Sequence, residues 1–136
     1  MSKAKPTIQK FMSTGVETID GGKILKEAVN IMKIKGIHHL PVTVNGQVVG
    51  IISDRDIKNA LGFVEFDLSK TLIKDVCKDA VYTVEPNMPL DTVAETMAGK
   101  HYGSAVVMQN NKLVGIITLI DICKALSFII NERFHS

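Results

Sequence analysis

The chain has 136 residues, 46% of them hydrophobic, so it can bury one compact core or two small interlocked cores but not two large domains. Its 16 lysines and arginines are nearly balanced by 14 aspartates and glutamates. The resulting net charge of +2 is far below the basic excess of a protein that binds phosphate backbones. Nucleic acid is therefore not expected as a partner.

Neither a membrane span nor a secretion signal is predicted. The residues around Lys3 and Lys5 are not followed by an apolar signal region, and no apolar run approaches the roughly 20 residues that cross a bilayer. The two cysteines, Cys77 and Cys123, are too few and too far apart for a disulfide framework, and their apolar surroundings predict two small core residues. These features indicate a soluble, cytoplasmic protein with reduced thiols.

A flexible polar tail is predicted at residues 1–6, and a first repeat follows at residues 7–62. Polar and apolar residues alternate at 16–19, which predicts a short strand. A helix should come next, with Gly22 as its N-cap and Gly36 at its end. Four apolar residues at helical spacing give this helix its buried face: Leu25, Ala28, Val29 and Met32.

The Asn45-Gly46 pair predicts a tight hairpin between the next two strands, and residues 53–61 should form a closing helix. The second hairpin strand, at 48–52, is apolar on both faces, as is its counterpart at 113–117. Strands of this kind are usually covered on both faces, so both are expected to be central in their sheets.

The second half of the chain repeats the first at a constant offset of 65 residues. Gly115 stands at the position of Gly50, and Asp121 at the position of Asp56. Residues 71–127 therefore form a second repeat. A unit of this size has too little core to be stable alone, so the two copies should pack across a pseudo-twofold axis.

The predicted fold class is α+β, with two pseudo-symmetric β-α-β-β-α repeats packed sheet against sheet. The first helix of the second repeat should have Asn87 as its N-cap and Pro89 in its first turn. Residues 63–70 are the predicted linker, and residues 128–136 are a C-terminal tail. Four apolar residues of that tail are expected to extend the last helix onto a partner: Phe128, Ile129, Ile130 and Phe134.

Polar residues mark the point where a buried strand meets a helix in each repeat. Ser53 and Asp56 are three residues apart, as are Thr118 and Asp121. This spacing is typical of a capping box, in which the hydroxyl accepts from the backbone N–H three residues on and the acidic residue accepts from the N-cap N–H.

The same geometry is also suited to a ligand. A phosphate fits at a helix start beside the hydroxyl of Ser53 or Thr118. A carboxylate one turn into the helix can accept both hydrogens of a ribose diol. Arg55 would supply a bidentate clamp on phosphate, although the neighbouring Asp54 opposes an anion.

The duplicated pattern Gly-Ile-Ile-(Ser/Thr)-x-x-Asp-Ile at residues 50–57 and 115–122 resembles a tandem pair of CBS domains, the Bateman module. The resemblance covers residues 7–127. It implies a cleft between the halves that holds adenosine nucleotides such as AMP, ADP or ATP, or S-adenosylmethionine. It also implies that such pairs associate into flat homodimers.

The resemblance assigns roles to the residues of the pattern. By analogy with the family, Asp56 and Asp121 bind ribose hydroxyls, Ser53 and Thr118 approach phosphate, and Arg55 faces phosphate. The alternative of helix capping applies to the same serine, threonine and aspartates.

Residues 37–42 resemble the stretch that lines the pocket in some nucleotide-sensing members, with Ile37 and Pro41 in the wall and His38 facing phosphate. The alternative is that His38 and His39 only begin a strand. Neighbouring strand residues point to opposite faces, so no metal site is expected from this pair.

Two further positions are ligand candidates. Thr18 and Thr83 coincide under the repeat and could contact the adenine, the alternative being the ordinary preference of threonine for strands.

The second repeat lacks the cationic residues of the first. It has Leu119-Ile120 where the first has Asp54-Arg55, and Gly103 in place of His38. We therefore expect two unequal sites, the Arg55 side being stronger for charged nucleotides, and we expect Leu119 and Ile120 to pack against a dimer partner.

These features predict a non-catalytic regulatory module that binds an adenosine nucleotide as a regulatory ligand and needs no cofactor. It would act as a homodimer or on an unidentified effector protein. The alternative is a structural dimerisation module without a ligand. An enzyme is not predicted, because no Ser-His-Asp set, HExxH or Walker-type motif is present.

Overall fold

The computed structural model describes residues 4–63 and 66–134. Parts of the predicted tails and linker, at 1–3, 64–65 and 135–136, lie outside these ranges. The chain forms two compact units. One runs from Glu17 to Val81 and is called the Asp56 unit below. The other, the Asp121 unit, combines the residues up to Val16 with those from Tyr82 onward.

The Asp56 unit has one three-stranded sheet and two helices. In chain order its elements are β1 (Ile19–Asp20), α1 (Leu25–Lys35), β2 (His39–Val44), β3 (Gln47–Ser53), α2 (Asp54–Ala60) and a short 3-10 turn (Ile73–Asp75). Strand β1 is parallel to β2, and β2 is antiparallel to β3. The hairpin turns at Asn45 and Gly46, both at positive φ, as the sequence predicted.

The Asp121 unit repeats this arrangement. Its elements are a 3-10 turn (Ile8–Lys10), β4 (Thr83–Val84), α3 (Leu90–Lys100), β5 (Ser104–Gln109), β6 (Lys112–Thr118) and α4 (Leu119–Arg133). Strand β4 is parallel to β5, and β5 is antiparallel to β6. The predicted α+β class and the order of elements in each repeat are confirmed.

Each unit takes the residues before its first strand from the other sequence repeat. Residues 7–16, which begin the first repeat, belong to the Asp121 unit, and residues 72–81 belong to the Asp56 unit. We call these two stretches the lead-in segments. Each buries an isoleucine completely: Ile8 lies in the core of the Asp121 unit and Ile73 in the core of the Asp56 unit.

The strands β3 and β6 were expected to be central, and this prediction is wrong. The strand orders are β1-β2-β3 and β4-β5-β6, so β2 and β5 are central. The outer edge of each predicted central strand is instead partly covered by a lead-in segment. Ile51 of β3 exchanges two backbone hydrogen bonds of 2.9 Å with Lys78, and Ile116 of β6 exchanges bonds of 2.9 and 3.0 Å with Ser13. A strand that is apolar on both faces therefore need not have a neighbouring strand on each edge.

The predicted N-caps Gly22 and Asn87 are also wrong, since the caps of α1 and α3 are Ile24 and Pro89. Neither cap uses its side chain. The first N–H of each helix donates instead to a distant backbone carbonyl: Leu25 N to Thr71 O and Leu90 N to Pro6 O, both at 2.9 Å. The first N–H of each helix is therefore satisfied by a carbonyl that lies about 46 residues away for α1 and about 84 residues away for α3. Local spacing could not indicate such a partner.

Helix α4 continues to Arg133 and so includes most of the predicted C-terminal tail. Only Ala125 is fully buried along it. The expectation of two core cysteines is wrong for Cys123, which is exposed on this helix, while Cys77 is half-buried. The large apolar side chains exposed on α4 and just after it are Leu119, Ile120, Leu126, Phe128, Ile130 and Phe134. Within the described ranges, no helix has the length and apolar character needed to cross a bilayer.

The C-cap residue differs between the equivalent helices α1 and α3, and exchanging the residue type at each position should change stability in opposite directions. The C-caps of helices α1 and α3 are Gly36 and His101, with φ values of 65° and 60°. A side chain at positive φ costs about 1 kcal/mol, which glycine avoids. His101→Gly should therefore raise the free energy of unfolding by about 0.5–1 kcal/mol, and Gly36→Ala should lower it by about 1 kcal/mol, as measured by urea denaturation. Equal signs for the two changes would contradict this explanation.

Candidate functional site

The Asp56 corner is the junction where β3 ends at Ser53 and α2 begins at Asp54. The Asp56 N–H donates to Ser53 Oγ at 3.0 Å, and the Ser53 N–H donates to Asp56 Oδ2 at 3.0 Å. Two donors at the helix start are thus satisfied reciprocally, and the capping box predicted from the spacing is confirmed.

The second carboxylate oxygen of Asp56 lies outside the capping box. Its Oδ1 is 3.4 Å from the Nζ of Lys78, in the lead-in segment of this unit. The Asp56 side chain is 10% exposed and the Lys78 side chain 71% exposed. A mostly buried carboxylate therefore meets an ammonium group that extends into solvent.

The Asp121 corner has the same design. The Thr118 N–H donates to Asp121 Oδ2 at 2.9 Å, and the Asp121 N–H donates to Thr118 Oγ1 at 3.3 Å, which confirms the second capping box. The other carboxylate oxygen, Asp121 Oδ1, accepts from Ser13 Oγ at 3.4 Å. In both corners, one carboxylate oxygen caps the helix and the other meets a lead-in side chain.

The start of β2 lies against the start of α2. The Asp54 N–H donates to the His38 carbonyl at 3.1 Å, and the His38 ring Nδ1 is 3.0 Å from Asp54 Oδ2. Burial alone raises the pKa of the Asp54 carboxyl, but the opposing contributions, led by the His38 hydrogen bond, outweigh it, and the pKa lies below its usual value. In the Asp121 unit the matching backbone bond runs from Leu119 N to Gly103 O at 3.2 Å, without a ring or a carboxylate.

His39 is the first residue of β2 and is paired with Ser53 across the sheet. Burial lowers the pKa of its ring more than the charge of Asp54 raises it. The neutral ring is therefore favoured in the folded chain, and His39 begins a strand as expected.

The structure brings some predicted site residues together and separates others. Ser53 and Asp56 bond to each other, and His38 bonds to Asp54 beside them. Ile37 instead packs against the core of the Asp56 unit, and Pro41 is buried within β2 opposite Ile51. Three further candidates are exposed: Arg55, Thr18 and Thr83. A ligand role for any of these residues stays a prediction.

Sequence reasoning missed Lys78 and Ser13. They occupy the same position under the 65-residue offset, so the repeat pattern could have paired them. Their approach to Asp56 and Asp121 depends on the lead-in segments crossing from one repeat to the other, and spacing alone does not reveal that crossing.

Comparison with known proteins agrees with the geometry. The model of the CBS domain matches the chain twice, at residues 8–62 and 73–128. The CBS domain-containing protein YhcV of Bacillus subtilis is 30% identical over 122 residues, which are 90% of this chain and 84% of YhcV. An inosine-5′-monophosphate dehydrogenase of Korarchaeum cryptofilum is 29% identical over 90% of this chain. That match covers 25% of the dehydrogenase. Across this dehydrogenase and six other relatives of several kinds, the chain spans 21% to 43% of the relative's length.

A solved structure extends the similarity to three dimensions. The crystal structure of the CBS domain pair of protein MJ0100, in complex with 5′-methylthioadenosine and S-adenosyl-L-methionine, matches with a TM-score of 0.84 and 26% identity. The match covers 93% of this chain and 99% of that one. Together with the two family matches, it shows that the chain belongs to the CBS domain family and carries two CBS domains in tandem.

Proposed function

We propose that the chain is a non-catalytic regulatory module that binds an adenosine ligand at its strand–helix corners. The ligand class is AMP, ADP, ATP or S-adenosylmethionine, and no cofactor is required. The observation that carries the proposal is the division of labour within each aspartate. One oxygen caps the helix, while Oδ1 of Asp56 and of Asp121 contacts a single side chain among the described residues, at a long distance of 3.4 Å in both cases.

The capping bond supports this function, because it fixes the carboxylate in one orientation before a ligand arrives. A carboxylate is purely an acceptor, so its remaining oxygen can take the hydrogens of a ribose diol. Ser53 and Thr118 are the proposed neighbours of the phosphate, together with Arg55 and His38 in the Asp56 unit. Thr18, Thr83, Ile37 and Pro41 are proposed to line the remainder of the ligand.

The family and its ligand-bound member support the ligand class. The MJ0100 pair, at 26% identity, was crystallised with two adenosine compounds. Those compounds share the adenosine part and differ in the group attached at the sugar, so an acidic residue that recognises the ribose suits either of them.

A regulatory role requires that the ligand favour one conformation of the chain over another. A ligand shifts such an equilibrium only by the difference in its affinity for the two states. We propose a second copy of this chain and an effector protein as the partners that respond. The exposed Leu119 and Ile120, 52% and 54% accessible at the start of α4, are the candidate contacts with the second copy.

A structural dimerisation module without a ligand is the second candidate function. It is favoured by the two complete capping boxes, which give Ser53, Asp56, Thr118 and Asp121 a role in stability without any ligand. It is also favoured by the apolar side chains exposed along α4.

Calorimetric titration of the full chain with AMP, ADP, ATP, adenosine and S-adenosylmethionine separates the two functions. We expect saturable binding of at least one of them, and we expect Arg55→Ala to weaken AMP more than adenosine. Hydrogen bonds to a charged group contribute about 1.5–3 kcal/mol, which is about tenfold or more in affinity. Absence of heat with all five compounds, together with a concentration-dependent dimer, would favour the structural module.

A further inference from the structure

The two corners differ in the charge of the group that faces Oδ1, the carboxylate oxygen that does not cap the helix. In the Asp56 unit this oxygen meets the ammonium group of Lys78, and in the Asp121 unit it meets the neutral hydroxyl of Ser13. The two distances are equal, at 3.4 Å. The corners are thus geometrically matched and electrostatically distinct.

The backbone fixes the position of both lead-in residues. Lys78 donates to Ile51 O and accepts from Ile51 N, each at 2.9 Å, and Ser13 makes the same two bonds with Ile116. Gly50 permits the approach, because a Cβ at this position would lie 2.6 Å from the Lys78 carbonyl oxygen. The end of the Lys78 side chain, which is 71% exposed, remains free to change partner.

A ribose diol that binds Asp56 Oδ1 must take the place of the Lys78 ammonium group. The carboxylate exchanges one set of hydrogen-bond donors for another, whereas the ammonium group loses its anionic partner. A compound that carries a phosphate supplies a new partner, because a lysine ammonium is a compact charge with three donors on a flexible stem. A neutral nucleoside supplies no such partner, and the positively charged sulfonium of S-adenosylmethionine repels the ammonium group.

We propose that Lys78 is a specificity-determining residue that makes the Asp56 corner selective for nucleoside phosphates over neutral or cationic adenosine compounds. The Asp121 corner, with Ser13 at the matching position, does not select by this charge. This inference rests on the proposed function, and it adds a residue that acts through ligand charge.

The test measures affinity for AMP, adenosine and S-adenosylmethionine by calorimetry. The parent chain carries Asp121→Asn, so that binding reports on the Asp56 corner. Lys78→Ser, which copies the other unit, should lower the ratio of AMP to adenosine affinity by about tenfold, the size of one hydrogen bond between charged groups. Lys78→Met keeps the aliphatic stem and should give the same loss, which excludes a packing effect.

Two further variants sharpen the result. Lys74→Ser removes the same charge from an exposed position in the same lead-in segment and should leave the ratio unchanged. In a parent that carries Asp56→Asn, Ser13→Lys should raise the ratio of AMP to adenosine affinity at the Asp121 corner. This reciprocal gain is expected only if the lead-in charge sets selectivity.

The outcomes separate the inference from the function beneath it. If the parent chain binds these compounds and Lys78→Ser leaves the affinity ratio unchanged, the role of Lys78 is overturned and the proposed function stands. If neither the original chain nor any variant binds any of the three compounds, and the original chain binds neither ADP nor ATP, the proposed function fails and the selectivity fails with it.

Discussion

Gly50→Ala should lower the free energy of unfolding by about 1–3 kcal/mol, although it adds only one methyl group. A Cβ at residue 50 would lie 2.6 Å from the backbone oxygen of Lys78 and 2.9 Å from Cys77 Sγ. The oxygen cannot move aside cheaply, because it accepts the Ile51 N–H that holds the lead-in segment to β3. The change therefore forces apart the bridge that places Lys78 beside Asp56. Urea denaturation measures the loss.

Two other glycines provide matched controls for the same substitution. Gly115→Ala should cost less than Gly50→Ala, because the backbone oxygen in its way, that of Ser13, lies 2.9 Å from the added carbon rather than 2.6 Å, and the nearest atom, Met12 Sδ at 2.8 Å, belongs to a flexible side chain. Gly99 lies in the exposed part of α3 with nothing within 4 Å of the added carbon, and alanine there should raise stability by about 0.5–1 kcal/mol. Losses of equal size at all three positions would indicate a general effect of replacing glycine and would contradict the close-approach explanation.

Much of the fold was predictable because its signals are local. The apolar face of α1 and the Asn45-Gly46 turn each lie within a short window of sequence, and the 65-residue repeat is visible by comparing two such windows; the structure confirms all three. The lead-in segments were not predictable in this way. They bond through Ser13 to Ile116 and through Lys78 to Ile51. The residues just before them, Pro6 and Thr71, bond to Leu90 and Leu25, so all these positions depend on contacts between residues far apart in the chain. The wrong N-caps and the wrong central strands both follow from these missing contacts.

The candidate site likewise has a local part that the sequence predicts and a non-local part that it does not. Spacing within four residues predicted the two capping boxes, and it is sufficient because a capping box is closed within one helical turn. The partner of the other carboxylate oxygen comes from a distant segment, so Lys78 and Ser13 appear only when the fold is known. A hydrogen bond that a short motif makes with itself can be predicted from sequence, whereas the charge that surrounds the motif depends on the fold.

Asp56→Asn should separate the two tasks of this residue. The asparagine side-chain oxygen can still accept the Ser53 N–H, so the cap is retained and the free energy of unfolding should fall by less than about 1 kcal/mol. The amide nitrogen then takes the place of Oδ1, and a donor replaces the acceptor that the ribose diol needs. Ligand affinity should fall by about tenfold to a hundredfold, the size of one to two hydrogen bonds to a charged group.

Asp56→Ala is the comparison that makes this result specific. It removes both the cap and the acceptor, so stability should fall by about 1–2 kcal/mol while affinity falls as in Asp56→Asn. Asp121→Asn should affect the second corner alone, and the double change Asp56→Asn with Asp121→Asn should abolish calorimetric binding. If Asp56→Asn binds adenosine compounds as tightly as the unchanged chain, then Oδ1 does not hold the ribose. The aspartate would then act only as a helix cap, because the oxygen that accepts the Ser53 N–H is the feature that aspartate and asparagine have in common at this position.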